Sequence, residues 1–313
     1  MFRCPTVREF DDKAKRTKEF IDSVIAWLNS KEMVELVKLF HGDYSYSKMA
    51  LEEEISYLYD FASENWDYRK GKERFEIKEQ LSDETNDYII ALVKGLGLID
   101  AIANSTVPDY ILVLGGARMA NWDRVVMSER IWKNNRDANV VALSGFRRLN
   151  EIEIPYVEKY APHAKTEIEA INAALEQVYD VKMECINSHE DDNPFLCSSI
   201  YKGSSKEKSI YTICAPSSEP ELRRANSMDT FKEFVNLFDL KMGSNIIMVT
   251  SSIYVPYQLM KFAPIAIEYG INVDIIGVDK DIINNVSRRN AVLYIQEIKA
   301  TIEAIYYYIE EQK

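Results

Sequence analysis

The sequence predicts an α/β fold: a Rossmann-like three-layer sandwich with a mainly parallel sheet, preceded by an N-terminal helical region. Three observations carry this. From Pro108 onward, apolar runs of strand length alternate with amphipathic helical stretches, the pattern of βαβ units. The runs are continuous rather than alternating, as befits strands covered on both faces. Small or hydroxylic residues follow each run, at one edge of the expected sheet.

Ahead of Pro108 the spacing is helical. Phe20, Ile21, Val24, Ile25 and Leu28 form one stripe, Met33, Leu36, Val37 and Phe40 a second, and Leu51, Ile55, Leu58 and Tyr59 a third. Ser82 is an N-cap for a fourth helix carrying Ile89, Leu92, Val93 and Leu96, which Gly95 and Gly97 would close. The polar stretch 65–74 reads as an exposed loop. A boundary at 107/108 thus separates a helical region, 1–107, from an α/β domain, 108–313.

The expected strands are Tyr110–Leu114, Asn139–Leu143, Ile210–Ala215, Ile246–Val249 and Val273–Ile276. Helices near Asp123–Trp132, Thr166–Tyr179, Asp229–Phe238 and Pro256–Tyr269 lie between them. The segment 187–208, rich in Ser, Asp, Asn and Lys, reads as a surface excursion. A long C-terminal helix carries Ala291, Ile295, Ile298, Ile302, Ile305 and Ile309 on one stripe, suited to the sheet, to the N-terminal helices or to a subunit contact.

Composition narrows the function classes. Apolar residues at 47% and charged ones at 28% describe a folded chain. Thirty-eight basic against 50 acidic residues give a net charge of −12, which discourages nucleic acid and anionic membrane as partners. Four cysteines without a CxxC pair, and three histidines, argue against structural zinc or a disulfide framework. No signal-peptide stretch or membrane-length apolar run is present, so a cytoplasmic location is expected. A homo-oligomer is compatible with all of this.

In open parallel sheets, ligands bind outside the carboxyl ends of the strands. There stand Gly115 and Gly116, Ser144 and Gly145, the segment 216–219, Thr250, Ser251 and Ser252, and Gly277 with Asp279. Glycine lets backbone approach a ligand, and a following helix N-terminus favours an anion. Turn and cap chemistry explains any one cluster equally well. No dinucleotide fingerprint, P-loop or nucleophile elbow occurs. Arg124, at the start of a helix, is placed to take a phosphate or carboxylate, with Arg147 and Arg148 as weaker candidates. Thr166 and Glu169 form a capping box, leaving Glu167 as an acid for a sugar hydroxyl or for base work. Asn226 and Ser227 are N-cap candidates ahead of Asp229.

Taken in order, Tyr110–Gly116 with Arg124, Ala142–Gly145, Thr166–Glu167, Arg224–Thr230 and Val249–Tyr257 resemble the strand, turn and helix-start elements of the YdcF/SanA/ElyC-like domain, over about residues 108–280. Where that family carries a histidine and an arginine, this chain has Tyr254 and Tyr257; Phe146 replaces a glycine. The resemblance implies a small anionic or nucleotide-type ligand bound at the strand ends, with Glu167 and Asp229 as catalytic carboxylates, one or the other acting as general base. Gly115, Gly116, Arg124, Ser144, Gly145, Asn226, Thr250, Ser251, Ser252, Tyr254 and Tyr257 would line the site. No metal is implied, and a nucleotide or S-adenosylmethionine would suit as cofactor. Three activities fit: binding without chemistry, a transferase or hydrolase acting on a phosphorylated, nucleotide or adenosyl metabolite, or a helical interaction protein with a vestigial site.

Overall fold

The computed structural model describes residues 12–71, 76–100, 107–204, 209–283 and 289–312. Expectations falling on Cys4, on 72–75 and on 205–208 lie outside them. The chain forms an α/β protein with a seven-stranded, mostly parallel sheet and ten α-helices among the described residues. It divides into two compact units. One comprises the described parts of Met1–Ala101, Ser252–Glu268 and Asn284–Lys313; the other comprises those of Ile102–Ser251 and Tyr269–Ile283. Each unit is therefore assembled from separate stretches of chain.

The first unit is helical: α1 (Lys13–Leu28), α2 (Lys31–Leu39), α3 (Leu51–Asn65), α4 (Asp83–Gly95), nearly all of the later helix Val255–Tyr269, and Ala291–Glu310 at the C-terminal end. Asp12, Ser30 and Ser82 cap the first, second and fourth with side-chain oxygens. Trp27, buried, donates its indole N–H to the Leu96 carbonyl at 3.0 Å, satisfying the one polar atom of a large apolar side chain. The isoleucine stripe of Ala291–Glu310 is buried inside this unit, against α3 and α4. Gln296 from that helix accepts the backbone N–H groups of Tyr68 and Arg69 at 2.8 and 2.9 Å.

The second unit holds the sheet. Its strands are β1 (Tyr110–Leu114), β2 (Asn139–Ser144), β3 (Met183–His189), β4 (Ser198–Ser204), β5 (Ser209–Cys214), β6 (Asn245–Thr250) and β7 (Asn272–Gly277). The spatial order is β3-β4-β5-β2-β1-β6-β7. The five strands from β5 to β7 run parallel; β4 pairs antiparallel with both β3 and β5. The helices α5 (Ala120–Lys133), α6 (Ile154–Val157), α7 (Glu167–Tyr179) and α8 (Ser227–Leu237) complete the unit, while the chain between β6 and β7 passes through α9 (Val255–Tyr269).

Side-chain alternation assigns the faces. Tyr110 and Tyr211 meet Phe234 and Phe238 at the α8 end of one face. Thr212, on the other face, donates to Asn172 of α7 at 2.6 Å, and Ser128 of α5 bonds Tyr179 of α7 at 2.9 Å. Helices α5 and α7 therefore cover one face and α8 the other.

The excursion expected at 187–208 is instead largely sheet: Asn187–His189 ends β3, and Ser198–Ser204 is β4. All residues of β3 after Met183 are exposed, so no apolar alternation marks it as a strand. A bulge between Cys185 and Asn187 interrupts its pairing, a device that protects an edge from further strand addition.

Phe234 is fully buried and contacts Tyr110 with ring centroids 5.3 Å apart. Phe234→Ala should cost about 3–5 kcal/mol, read as a drop in the denaturant midpoint at unchanged slope. A loss below about 1 kcal/mol would place the core elsewhere.

Candidate ligand site at the strand ends

Strand order reverses at β1: the chain goes from β1 to β2, out to the edge at β3 and back through β4 to β5, then crosses to β6 on the other side of β1. Such a reversal opens a crevice at the carboxyl ends. The turn after β1 occupies it. A Cβ on Gly115 would fall on Glu167 Oε1 and within 2.9 Å of the Leu143 carbonyl; one on Gly116 would lie 2.9 Å from Arg124 Nη1. Glycine is needed at both positions because the space is already taken. The Gly115 amide donates to the Leu143 carbonyl at 2.7 Å, and the Gly116 amide to Asn121 Oδ1 at 2.8 Å. Neither amide is left over for an anion.

Arg124 is 3% exposed. Its Nη1 donates to the carbonyls of Leu114 and Gly115, at 2.7 and 2.5 Å, and its Nη2 to Ser251 Oγ at 3.1 Å. The guanidinium thus binds the end of β1 to the segment following β6. In this arrangement Arg124 positions the turn.

Charge gathers on the α5/α7 face. Arg147, just past β2, donates to both Glu153 oxygens at 2.6 and 2.9 Å and, through Nε, to Glu167 Oε2 at 2.9 Å. Burial opposes the Arg147 charge, but the two carboxylates outweigh it and raise its pKa. For Glu153, burial also opposes the charge and so raises the pKa, and Arg147 together with the Asn150 N–H more than reverses that. Glu167 Oε1 accepts from no donor among the described residues. One oxygen is anchored and the other faces the Gly115 turn.

Next to it, Ser144 ends β2. It is 4% exposed, and its Oγ has no hydrogen-bond partner among the described residues. Thr250, at the end of β6, is fully buried and its Oγ1 is equally unpartnered, although alternation sends it to the opposite face. Around Gly145 there is room, since a Cβ there would meet nothing within 4 Å. Helix α5 begins without a side-chain cap; the Ala120 N–H donates to the Ala117 carbonyl at 3.0 Å, and the rest of the first turn stands at the positive end of the helix dipole with no side chain capping it.

Sequence reasoning passed over several neighbours. Arg118 has φ of +55°, a left-handed conformation uncommon for a non-glycine residue. Its carbonyl accepts the Tyr160 hydroxyl at 3.0 Å. Burial pushes the Asp123 carboxyl up to about 6, against the opposing charge of Arg124. Burial also pushes the Cys214 thiol up to about 12, with Glu167 adding and the Phe146 N–H opposing. None of these has a spacing signature; folding alone assembles them.

The remaining expected residues lie elsewhere. Asn226 and Asp229 form a reciprocal capping box at the start of α8. Asp229 accepts from Arg223 Nη1 at 2.5 Å, from the Asn226 N–H at 2.8 Å and from the Ser218 N–H at 3.3 Å. Ser252 and Tyr254 lie in a 3-10 turn and Tyr257 in α9, all in the helical unit. Burial raises the Tyr257 phenol, with Glu297 and Glu303 adding to it. Among the described residues no cluster of His, Cys, Asp and Glu could hold a metal ion, and no helix is long and apolar enough to cross a membrane.

The family model that matches the chain is the Rv3785 N-terminal domain, over residues 11–97. The uncharacterised protein Rv3785 of Mycobacterium tuberculosis is 27% identical over 334 residues, covering 96% of this chain and 92% of its own. The uncharacterised Mycobacterium bovis protein Mb3814 matches to the same extent. No solved structure matches. These findings overturn the YdcF/SanA/ElyC-like resemblance: similarity runs instead to Rv3785-like proteins, and the matching family model covers the helices that the resemblance left out. The error has a physical source. Strand, small-residue turn and capped helix start recur in any parallel α/β unit, because turns and caps demand the same residues.

Burial would raise the Asp229 pKa, but Arg223, then the Asn226 N–H and Ser218, bring it down from the usual 3.8 to about 2. A depressed carboxylate pKa adds stability that is complete above about pH 4 and disappears as pH falls through 2, worth about 2 kcal/mol. Asp229→Asn should flatten the acid limb of a stability-against-pH curve between pH 4 and 2. An unchanged limb would show that Asp229 is not held by Arg223 in solution.

Proposed function

We propose that the sheet unit binds a small ligand bearing both an anion and hydroxyl groups, of sugar-phosphate or nucleotide type, on the α5/α7 side of the strand ends. The observation that carries this is the buried Ser144 hydroxyl, which has no hydrogen-bond partner among the described residues, beside a carboxylate whose Oε1 accepts from no donor among them. A buried hydroxyl left unmade costs about 1–3 kcal/mol, and such costs collect where a site is kept ready for a ligand. Glu167 Oε1 would accept from a ligand hydroxyl, while Arg147 fixes the carboxylate through Oε2. The uncapped first turn of α5 suits the anion. Space at Gly145 gives the ligand room. The mixed charge of Arg147, Glu153 and Glu167 disfavours a purely anionic ligand and favours one that also donates hydrogen bonds.

A second reading has a specific observation behind it. Of the two acids singled out in the sequence, Asp229 is occupied by Arg223 and the α8 cap, whereas Glu167 is anchored through Oε2 alone and its Oε1, against the Gly115 turn, accepts from no donor among the described residues. A transferase or hydrolase would use Glu167 as its base.

Thermal unfolding with nucleoside monophosphates, ribose 5-phosphate, S-adenosylmethionine and inorganic phosphate tests both readings. Ligand at a hundredfold its Kd should stabilise the chain by about 2.7 kcal/mol. Gly145→Val, whose side chain enters open space, should keep the unliganded Tm and lose most of the shift, and Glu167→Gln should lose it for hydroxyl-bearing ligands alone. Product formation that Glu167→Gln abolishes would select the enzyme. If no compound raises Tm, the proposal fails.

A further inference from the structure

Level with the Gly115 turn, strand pairing sets a row of small polar side chains. Ser144 of β2 is paired with Cys214 of β5, and Cys214 with Ser199 of β4. Directly paired residues share a face, and Thr212, two residues before Cys214, places that face under α7 through its bond to Asn172. Ser199 is 3% exposed, and its Oγ reaches hydrogen-bond geometry with no described atom, the Tyr201 hydroxyl being its polar neighbour. Tyr201, two residues along β4, lies on the same face and is half-buried. From the Gly115 turn to Ser199 the row spans three strand spacings, about 14 Å.

Chemistry changes along it. Near β1 are Arg147, Glu153, Glu167 and the first turn of α5. Toward β4 the row itself is uncharged: a thiol, a serine hydroxyl and a phenol. Burial raises the Tyr201 pKa further from neutrality, with Cys185 and Glu169 adding to it, so the phenol remains an O–H donor. Hydroxyls that both donate and accept, beside an aromatic ring, suit a flat neutral group with mixed donors and acceptors.

We propose that the β3–β4 hairpin builds the far end of the ligand site, with Ser199 and Tyr201 reading the heterocyclic base of a nucleotide whose phosphate lies toward α5. This rests on the ligand reading above and narrows it from a sugar phosphate or nucleotide to a nucleotide whose base is read by the hairpin. The hairpin thereby sets specificity, although its residues come from the antiparallel edge and not from the parallel strand ends.

Equilibrium titration of the full chain with adenosine monophosphate, uridine monophosphate and ribose 5-phosphate tests it, using wild type, Ser199→Ala, Tyr201→Phe and Glu167→Gln. Far-ultraviolet circular dichroism and the unfolding midpoint verify folding of each variant. Ser199→Ala and Tyr201→Phe should weaken the better nucleotide tenfold or more and leave ribose 5-phosphate within twofold. Glu167→Gln should weaken both. If the hairpin variants leave nucleotide affinity unchanged, or weaken ribose 5-phosphate equally, while Glu167→Gln still weakens both, the hairpin assignment falls and the ligand reading stands. If wild type binds none of the three at millimolar concentration, both fall.

Discussion

The sheet edge depends on one buried cation. Beyond Leu114 the first strand has no ladder to receive its carbonyls, and an unpaired carbonyl in a dry setting is costly. Arg124 meets that need. Its guanidinium reaches the Leu114 and Gly115 carbonyls with one nitrogen and Ser251 with another. The planar fork of arginine can serve two directions at once, which a lysine ammonium on a flexible stem would do less rigidly. Close approach of that fork is what excludes a side chain at Gly116. Glu167 closes the other side of the turn and excludes one at Gly115. The shape of the turn after β1 follows from these two contacts.

Much of the fold was legible because burial on both faces leaves continuous apolar runs, and five of the seven strands have them. β3 and β4 were not. β3 is exposed after its first residue and carries a bulge, so its sequence resembles a polar loop. The capping boxes at Thr166 and Asn226 were readable, as local chemistry usually is. The stripe of the C-terminal helix was readable too, but which surface buries it depends on packing that no spacing encodes.

The candidate site was legible in its positions more than in its roles. Residue type placed Gly115, Ser144, Gly145 and Glu167 at one edge, and the fold brings Glu167 onto the Gly115 turn. Arg124 was expected to grip a ligand, whereas its guanidinium donates to the Leu114 and Gly115 carbonyls and to the Ser251 hydroxyl. Arg147 looked weaker in sequence, yet it reaches both Glu153, 6 residues along the chain, and Glu167, 20 residues along it. Arg118, Asp123 and Tyr160 carry no motif and enter through a left-handed turn and burial. Short motif strings misled for a related reason: they recorded the demands of turns and caps, which many folds share.

The central claim is that the Ser144 hydroxyl is held unpaired at a cost to the free protein. Urea unfolding of Ser144→Ala measures it directly. Removing an idle buried hydroxyl is neutral or stabilising, so the variant should match or exceed the wild type, by up to about 1 kcal/mol. A loss of about 1 kcal/mol or more would mean that Ser144 already makes a hydrogen bond within the folded chain, and the site would lose its main support.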